Sequence, residues 1–168
     1  MKRLIADAPP LDGTDASGGS ALYWAAQNGH TEIVKALLLR GVDIDAQTSY
    51  GYTALMIAAL NGHGGCVAGL IKSGAEVDVS NLYGQTALTC AAAAGRVECS
   101  TLLLDAGANP KLADIQGRTA ADLSERWDMR SCGRELGGCS DTLQQLAQRC
   151  SALERLRQPV GRARALFV

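Results

Sequence analysis

The two histidines of this 168-residue chain, His30 and His63, are the side chains best suited to acid–base chemistry near neutral pH. They lie 33 residues apart, and each directly follows a glycine. A catalytic base has no reason to recur in register with a structural period, so we interpret both as turn residues. Four carboxylates that could supply an acid–base pair recur at the same spacing: Asp43, Asp45, Glu76 and Asp78. Their slots lie among turn-forming residues, which predicts surface turns rather than catalysis.

The six cysteines could offer thiol chemistry, a disulfide or a metal site, but none of them forms a C-x-x-C pair. Cys66 and Cys99 are again 33 residues apart, and the same slot of an earlier copy holds Ile33. A thiol in an isoleucine slot is most simply a small core residue, and a disulfide or zinc site is the alternative. The sequence also contains no phosphate-binding loop and no nucleophile elbow. We therefore predict that the protein is not an enzyme and needs no metal or cofactor.

These residues are positioned by a 33-residue unit that occurs three times in full. Its first halves read GGSALYWAAQNGH, GYTALMIAALNGH and GQTALTCAAAAGR. In each copy a Ser or Thr can cap a helix whose Leu and paired Ala form a slim apolar face. One glycine can end that helix, and a second can end the Leu-rich helix that follows. The aligned caps are Ser20, Thr53, Thr86 and Thr119, and the aligned glycines are Gly29, Gly62 and Gly95, then Gly41, Gly74 and Gly107.

The segments TALMIAALNGH and EIVKALLLRGVDIDAQ resemble the ankyrin repeat, a helix-turn-helix unit with a protruding β-turn loop. The resemblance implies an all-α solenoid, because one unit cannot bury its apolar face alone. It covers residues 15–126, with repeats at about 15–47, 48–80 and 81–113 and a partial fourth at 114–126.

The chain departs from the family pattern in three ways. Ala replaces the family's Pro at positions 21, 54, 87 and 120, which removes a rigid helix start. The family's His is Tyr23, Met56 or Thr89, so its hydrogen bonds to the next loop are expected to be missing. Three glycines, Gly64, Gly65 and Gly69, predict that the second helix of the middle repeat, Gly64 to Ser73, is the softest.

Both ends of the chain are irregular. Residues 1–14 are in register with the end of a preceding unit, which predicts a half-repeat or cap with Leu4 and Ile5 in the slots of Leu37 and Leu38. Residues 127–168 read as a degenerate repeat end, an amphipathic helix at 141–157 and a loose basic tail. The helix is expected to lay one face on the last repeat, formed by Leu143, Leu146, Cys150 and Leu153.

Charge and composition limit the class of partner. The formal net charge is −1, whereas phosphate binding needs a clear excess of Lys and Arg. No run approaches the roughly 20 apolar residues of a membrane span. We therefore predict a soluble monomer of the cytoplasm, or of the nucleus, that binds another protein as an adaptor or scaffold. One alternative is a substrate-receptor subunit of a ubiquitin ligase, because Leu146 to Glu154 resembles a degenerate SOCS-type box. A second alternative is the regulatory fragment of an enzyme, which the expected half-repeat at Met1 leaves open.

In ankyrin-repeat proteins, ligands usually meet the loop tips and the concave face formed by the first helices. Carried onto this chain, the resemblance implies these partner-binding residues: Gln27, Asn28, Tyr50, Tyr52, Leu60, Asn61, Leu82, Tyr83, Gln85, Ile115 and Arg118. Three of the four tyrosines are expected at tips, where large aromatic side chains can anchor a partner. The alternative is that Tyr50 and Tyr83 only brace adjacent loops, since they share one slot.

Overall fold

The computed structural model describes residues 13–124. Within that range it contains six complete helices and no strand, apart from one isolated antiparallel bridge between Thr14 and Ser20. Helical backbone also covers residues 120–124. The helices are α1 (Ala21–Gln27), α2 (Thr31–Leu39), α3 (Ala54–Asn61), α4 (Gly64–Lys72), α5 (Ala87–Ala93) and α6 (Val97–Asp105).

The predicted Ser and Thr caps begin the first helix of every repeat. The side chains of Ser20, Thr53 and Thr86 each accept a hydrogen bond from the backbone N–H three residues later. In α5 the Thr89 hydroxyl also accepts from the Thr86 N–H at 2.7 Å, which completes a capping box. These caps satisfy N–H groups that would otherwise lack a partner, so the helices begin at the predicted positions without the family's Pro.

The predicted glycines follow the helices with left-handed backbone. Gly62 caps α3 with φ of 84°, and Gly29 and Gly95 adopt φ of 72° and 66°. At Gly29 a Cβ would also lie 2.6 Å from the His63 ring. Conformation and close approach therefore both require glycine at this position.

The helices form two rows. The first helices of the repeats, α1, α3 and α5, pack side by side, and the second helices, α2, α4 and α6, form the other row. One apolar core runs between the rows and is built from the predicted Leu and paired Ala, among them Leu22, Leu55 and Leu88, each 1% exposed. The all-α repeat prediction is confirmed.

Several predictions concern residues outside the described range. They are the half-repeat or cap at 1–14, apart from its last two residues, the helix at 141–157 and the SOCS-like stretch from Leu146 to Glu154. The remainder of 127–168 also lies outside it.

Candidate functional site

The loops between repeats carry tips that are closed by one equivalent side chain in each copy. Asn81 Oδ1 accepts from the N–H groups of Tyr83 and Gln85, both at 2.9 Å. In the next loop Asp114 Oδ1 accepts from Gln116 and Arg118 in the same way. Such side-chain-to-backbone bonds hold a tight turn without a partner strand.

Neighbouring tips are joined to each other through the backbone. Ser49 N–H donates to Ser17 O at 3.0 Å, Leu82 N–H to Tyr50 O at 3.1 Å, and Ile115 N–H to Tyr83 O at 3.0 Å. The approach is so close at Gly51 that a Cβ there would lie 2.9 Å from Asn81 Cα. The tips are therefore fixed relative to one another by the main chain.

Large apolar side chains project from these tips into solvent. We call this surface the tip row; its members are Tyr50, Leu82, Tyr83 and Ile115. Their exposed fractions are 58%, 68%, 43% and 71%, in that order. Backbone groups of Tyr50 and Tyr83 join the tips, because their carbonyls accept from the N–H groups of Leu82 and Ile115.

Behind the tips, a line of polar side chains is half-buried. Tyr52 differs from the expectation that it lies at a tip, because it closes the base of its loop: Thr48 N–H donates to its carbonyl. Its hydroxyl donates to Gln85 Oε1 at 3.2 Å, and Asn81 Nδ2 donates to the same oxygen at 3.0 Å. Burial raises the pKa of Tyr52, which keeps the phenol a neutral donor.

A cavity of about 390 Å³ lies beside the last two tips. Its walls are formed by Tyr52, Tyr83, Gln85, Asp114, Ile115, Gln116 and Arg118. The Arg118 guanidinium contacts the Asp114 carboxylate at 2.6 Å and holds the pKa of that carboxyl below its usual range. The one cation in the wall is thus paired with an anion, so the cavity has no net charge.

Four predicted site residues lie at the opposite ends of the first helices: Gln27, Asn28, Leu60 and Asn61. An eight-residue helix is about 12 Å long, so the structure does not bring this group into contact with the tip row. Asn61 Nδ2 donates to the Gln27 carbonyl at 3.0 Å, and Asn28 Nδ2 donates to the Trp24 carbonyl at 2.8 Å. The predicted residues therefore divide into two separate groups.

The slot of the histidines has a structural role that the sequence analysis did not specify. His63 Nε2 lies 3.1 Å from the Gln27 carbonyl, and one repeat later Arg96 Nε donates to the Leu60 carbonyl at 3.2 Å. A carbonyl oxygen only accepts hydrogen bonds, so His63 Nε2 is the donor in this contact. The sequence did contain a signal for this role: His63 and Arg96, which occupy the same slot of two successive copies, both carry a side-chain N–H donor.

The carboxylates of the loops also tie successive repeats together. Asp45 accepts from the Glu76 N–H at 3.1 Å, and Asp78 accepts from the Asn109 N–H at 2.8 Å. Asp43 accepts from the Asp45 N–H within its own turn. These contacts agree with the prediction of turn and surface residues.

The described cysteines are core residues. Cys66, Cys90 and Cys99 are unpaired and at most 2% exposed, which confirms the core interpretation of the Ile33 slot for two of them. Burial raises the pKa of Cys90 to about 12, and burial raises that of Cys99 to about 11. Thiols of this kind are not nucleophiles at neutral pH. Within residues 13–124, no three His, Cys, Asp or Glu side chains come together as metal ligands.

The family model for ankyrin repeats, with three copies, matches residues 1–81 and 66–139. The chain belongs to the ankyrin-repeat family. Ankyrin repeats are generally modules for protein–protein interaction and are typically non-catalytic. No curated protein matches this ankyrin-repeat chain significantly. In the part of the chain that the structure describes, no helix of this ankyrin-repeat protein is long and apolar enough to cross a membrane.

Proposed function

We propose that this ankyrin-repeat protein is a non-catalytic adaptor or scaffold that binds a partner protein through the tip row. The observation that carries the proposal is four large apolar side chains, 43% to 71% exposed, on loops held by backbone hydrogen bonds. Exposed apolar patches on monomeric proteins commonly mark interaction sites.

The backbone of the tip row favours binding because it is ordered before the partner arrives. Each tip is closed by its own side-chain cap and joined to its neighbour by an amide–carbonyl bond. A pre-organised surface loses less conformational entropy on association, so more of the buried apolar area contributes to affinity. Tyr and Ile side chains on such a surface are suitable anchors.

The polar side chains behind the tips can orient a bound partner through hydrogen bonds. Tyr52 and Gln85 are already bonded to each other, and Arg118 is paired with Asp114. A line of hydrogen-bond donors with no net charge, next to apolar tips, suits a protein segment better than the phosphates of a nucleic acid. The helix-end group of Gln27, Asn28, Leu60 and Asn61 forms a second part of the proposed surface, which a larger partner could contact together with the tips.

Cellular location and assembly belong to the same proposal. We place the adaptor in the cytoplasm or the nucleus, acting as a monomer. The support is the unpaired, buried thiols of the described residues, which are typical of a reducing compartment. The ubiquitin-ligase alternative depends on Leu146 to Glu154, which lies outside the described residues.

The test replaces exposed side chains of the tip row, which contribute little to the stability of the fold. In a Tyr83→Ala/Ile115→Ala variant, partner recovery in quantitative affinity capture from native extract should fall about tenfold or more, since each lost anchor typically costs over 1 kcal/mol. The matched control is Leu39→Ala, because Leu39 is 89% exposed on α2, away from the tips.

Both variants should keep the wild-type circular dichroism spectrum, since the replaced side chains are exposed. Partners recovered in equal amounts by the tip variant and by wild type would show that the tip row is not the binding surface. An equal loss in the Leu39→Ala control would also contradict the proposal.

A further inference from the structure

The first tip, residues 15–19, and the last described tip, residues 114–118, are both capped by an aspartate, but the two charges are balanced differently. In the last tip the Arg118 guanidinium contacts Asp114 Oδ2 through Nη2 at 2.6 Å and through Nε at 2.8 Å. The first tip reads DASGG, with Gly19 at the position equivalent to Arg118. The last tip therefore supplies its own counter-ion, whereas the residues of the first tip include no cation.

The hydrogen bonds of Asp15 come from uncharged donors and fall mostly on one oxygen. Asp15 Oδ1 accepts from the Ser17 N–H at 2.8 Å, the Ser17 hydroxyl at 2.6 Å and the Gly19 N–H at 2.8 Å. Oδ2 accepts from the Trp24 indole N–H at 2.9 Å. A carboxylate oxygen has about two lone pairs, so Oδ2 can accept a further donor. The equivalent oxygen of Asp114 is the one that binds a guanidinium.

The charge on Asp15 is present at neutral pH. Hydrogen bonds, led by the one from the Ser17 hydroxyl, lower the pKa of this carboxyl. Burial raises the pKa of Tyr23, and the negative charge of Asp15 adds to that shift. The field of the carboxylate therefore reaches the Tyr23 ring as well as the Trp24 indole to which it is bonded.

Trp24 adds an exposed aromatic surface beside this carboxylate. The side chain is 43% exposed, whereas Ile57 and Cys90, which occupy the same slot one and two repeats later, are 8% and 2% exposed. The Tyr23 ring lies against it in a T-shaped arrangement, with ring centroids 5.5 Å apart and planes at 88°. An exposed indole with an anion at its edge is suited to attract a cation over its face.

Gly19 makes room for this indole. A Cβ on Gly19 would lie 2.8 Å from Trp24 Nε1 and 3.3 Å from both carboxylate oxygens of Asp15. A side chain at this position would displace the ring, so the first tip has an aromatic group where the last tip has a cation. The cation that balances Asp15 must then come from elsewhere.

We propose that the first tip binds the guanidinium of an arginine side chain on a partner protein, stacked on the Trp24 indole and bonded to Asp15 Oδ2. A guanidinium fits both features, because its planar face stacks on aromatic rings and its N–H edge matches a carboxylate. It is also more weakly hydrated than the ammonium of a lysine, so less hydration is lost on binding. The pairing of Arg118 with Asp114 shows the same contact within the chain. Neither Asp15 nor Trp24 belongs to the tip row, so this site goes beyond the proposed function.

The experiment titrates N-acetyl-arginine amide into the full chain at constant ionic strength and follows the Trp24 indole N–H resonance by NMR. The resonance should shift progressively with the probe, and that of Trp127 serves as an internal reference. N-acetyl-citrulline amide is the matched control ligand, because it has nearly the same shape and no charge. It should cause a shift about fivefold smaller at the same concentration, since both proposed contacts depend on the charge.

A pair of substitutions locates the contact. Asp15→Asn should reduce the response to the arginine probe about fivefold or more, because the charge-assisted bond is lost. Asparagine still closes a tip, as Asn81 does by accepting from Tyr83 and Gln85, so this variant should keep its fold. The matched control is Asp114→Asn, which makes the same change at the tip with its own guanidinium and should leave the Trp24 response unchanged.

Four results would overturn the proposal. The Trp24 resonance is not moved by the arginine probe, or it is moved equally by the citrulline probe. The response survives Asp15→Asn. N-acetyl-lysine amide causes an equal or larger shift, which would assign the site to cations in general. The probes do not involve the tip row, so failure here is distinguishable from failure of the adaptor proposal.

Discussion

The first and middle repeats have the same architecture but bury their equivalent residues to different extents. In α3, six residues from Ala54 to Ala59 are buried, whereas in α1 only three are. Met56 is 1% exposed, while Tyr23 in the same slot is half-buried, and Ile57 is 8% exposed against 43% for Trp24. Helix α3 packs against two other first helices, α1 and α5. Among the described helices, α1 packs against one other first helix, α3. Burial in this fold is therefore decided by neighbours as much as by residue type.

The largest effect is expected when the equivalent leucines of the two repeats are truncated to alanine. Leu55→Ala should lower the free energy of unfolding by about 2–5 kcal/mol, because it leaves a cavity in a helix that is packed on both sides. Leu22→Ala removes the same atoms from a site that is equally buried, at 1% exposed. It should cost less, since within residues 13–124 α1 packs against one first helix of a neighbouring repeat and α3 against two. Urea unfolding measures both, and an equal or larger loss for Leu22→Ala would break the comparison.

The second helix of the middle repeat offers a stabilising change of moderate size. Gly69→Ala should stabilise the protein by about 0.5–1 kcal/mol, because alanine is the better helix former. A Cβ at Gly69 would meet nothing within 4 Å. Gly65→Ala is the matched control on the same helix. A Cβ there would lie 3.0 Å from Thr31 Oγ1, so this substitution should stabilise the protein less than Gly69→Ala.

Hydrogen exchange sharpens the same prediction. Amides of α4 should exchange faster than those of Glu32–Leu39 in α2 and Glu98–Leu104 in α6, because glycines raise the entropy cost of ordering the helix. Gly69→Ala should slow them. Wild-type α4 amides that exchange as slowly as those of α6 would show that packing on both sides outweighs helix propensity.

The smallest expected effect distinguishes the outer tips from the interior tips by their response to acid. The capping slot holds Asp15 and Asp114 in the first and last described tips but Thr48 and Asn81 between them. Hydrogen bonds, chiefly from the Ser17 hydroxyl, lower the pKa of Asp15, and those led by the Arg118 guanidinium lower the pKa of Asp114. A lowered folded-state pKa contributes stability above the unfolded value, near 3.9, and this stability is lost as the pH falls through the folded pKa.

The outer tips should therefore loosen in acid while the interior tips do not titrate. Followed by NMR, the amide shifts of Gly19 and Arg118 should move with midpoints below about 3.9. The amides of Tyr52 and Gln85 should show no such step. Asp15→Asn and Asp114→Asn should each remove the step at their own tip, and a step that survives the substitution would assign the titration to another group.

The sequence by itself determined the repeat unit, the order of the helices and most of their boundaries. Ser20, Thr53 and Thr86 cap as predicted, and Gly29, Gly62 and Gly95 take left-handed backbone as predicted. These features depend on contacts within a few residues, so residue type and spacing are sufficient to predict them. The core interpretation of Cys66 and Cys99 was predictable for a related reason, since repetition aligns them with an apolar slot.

The tertiary structure alone decided which equivalent residues are covered and which groups join the repeats. Spacing did not show that His63 would bond to Gln27 O, that Tyr52 would turn to Gln85, or that Ile33 would stay half-exposed. It also did not separate the tip row from the helix-end residues that the resemblance had grouped with it. Each of these features depends on a neighbour about 33 residues away and on the rise and rotation between units, which a one-dimensional pattern does not contain.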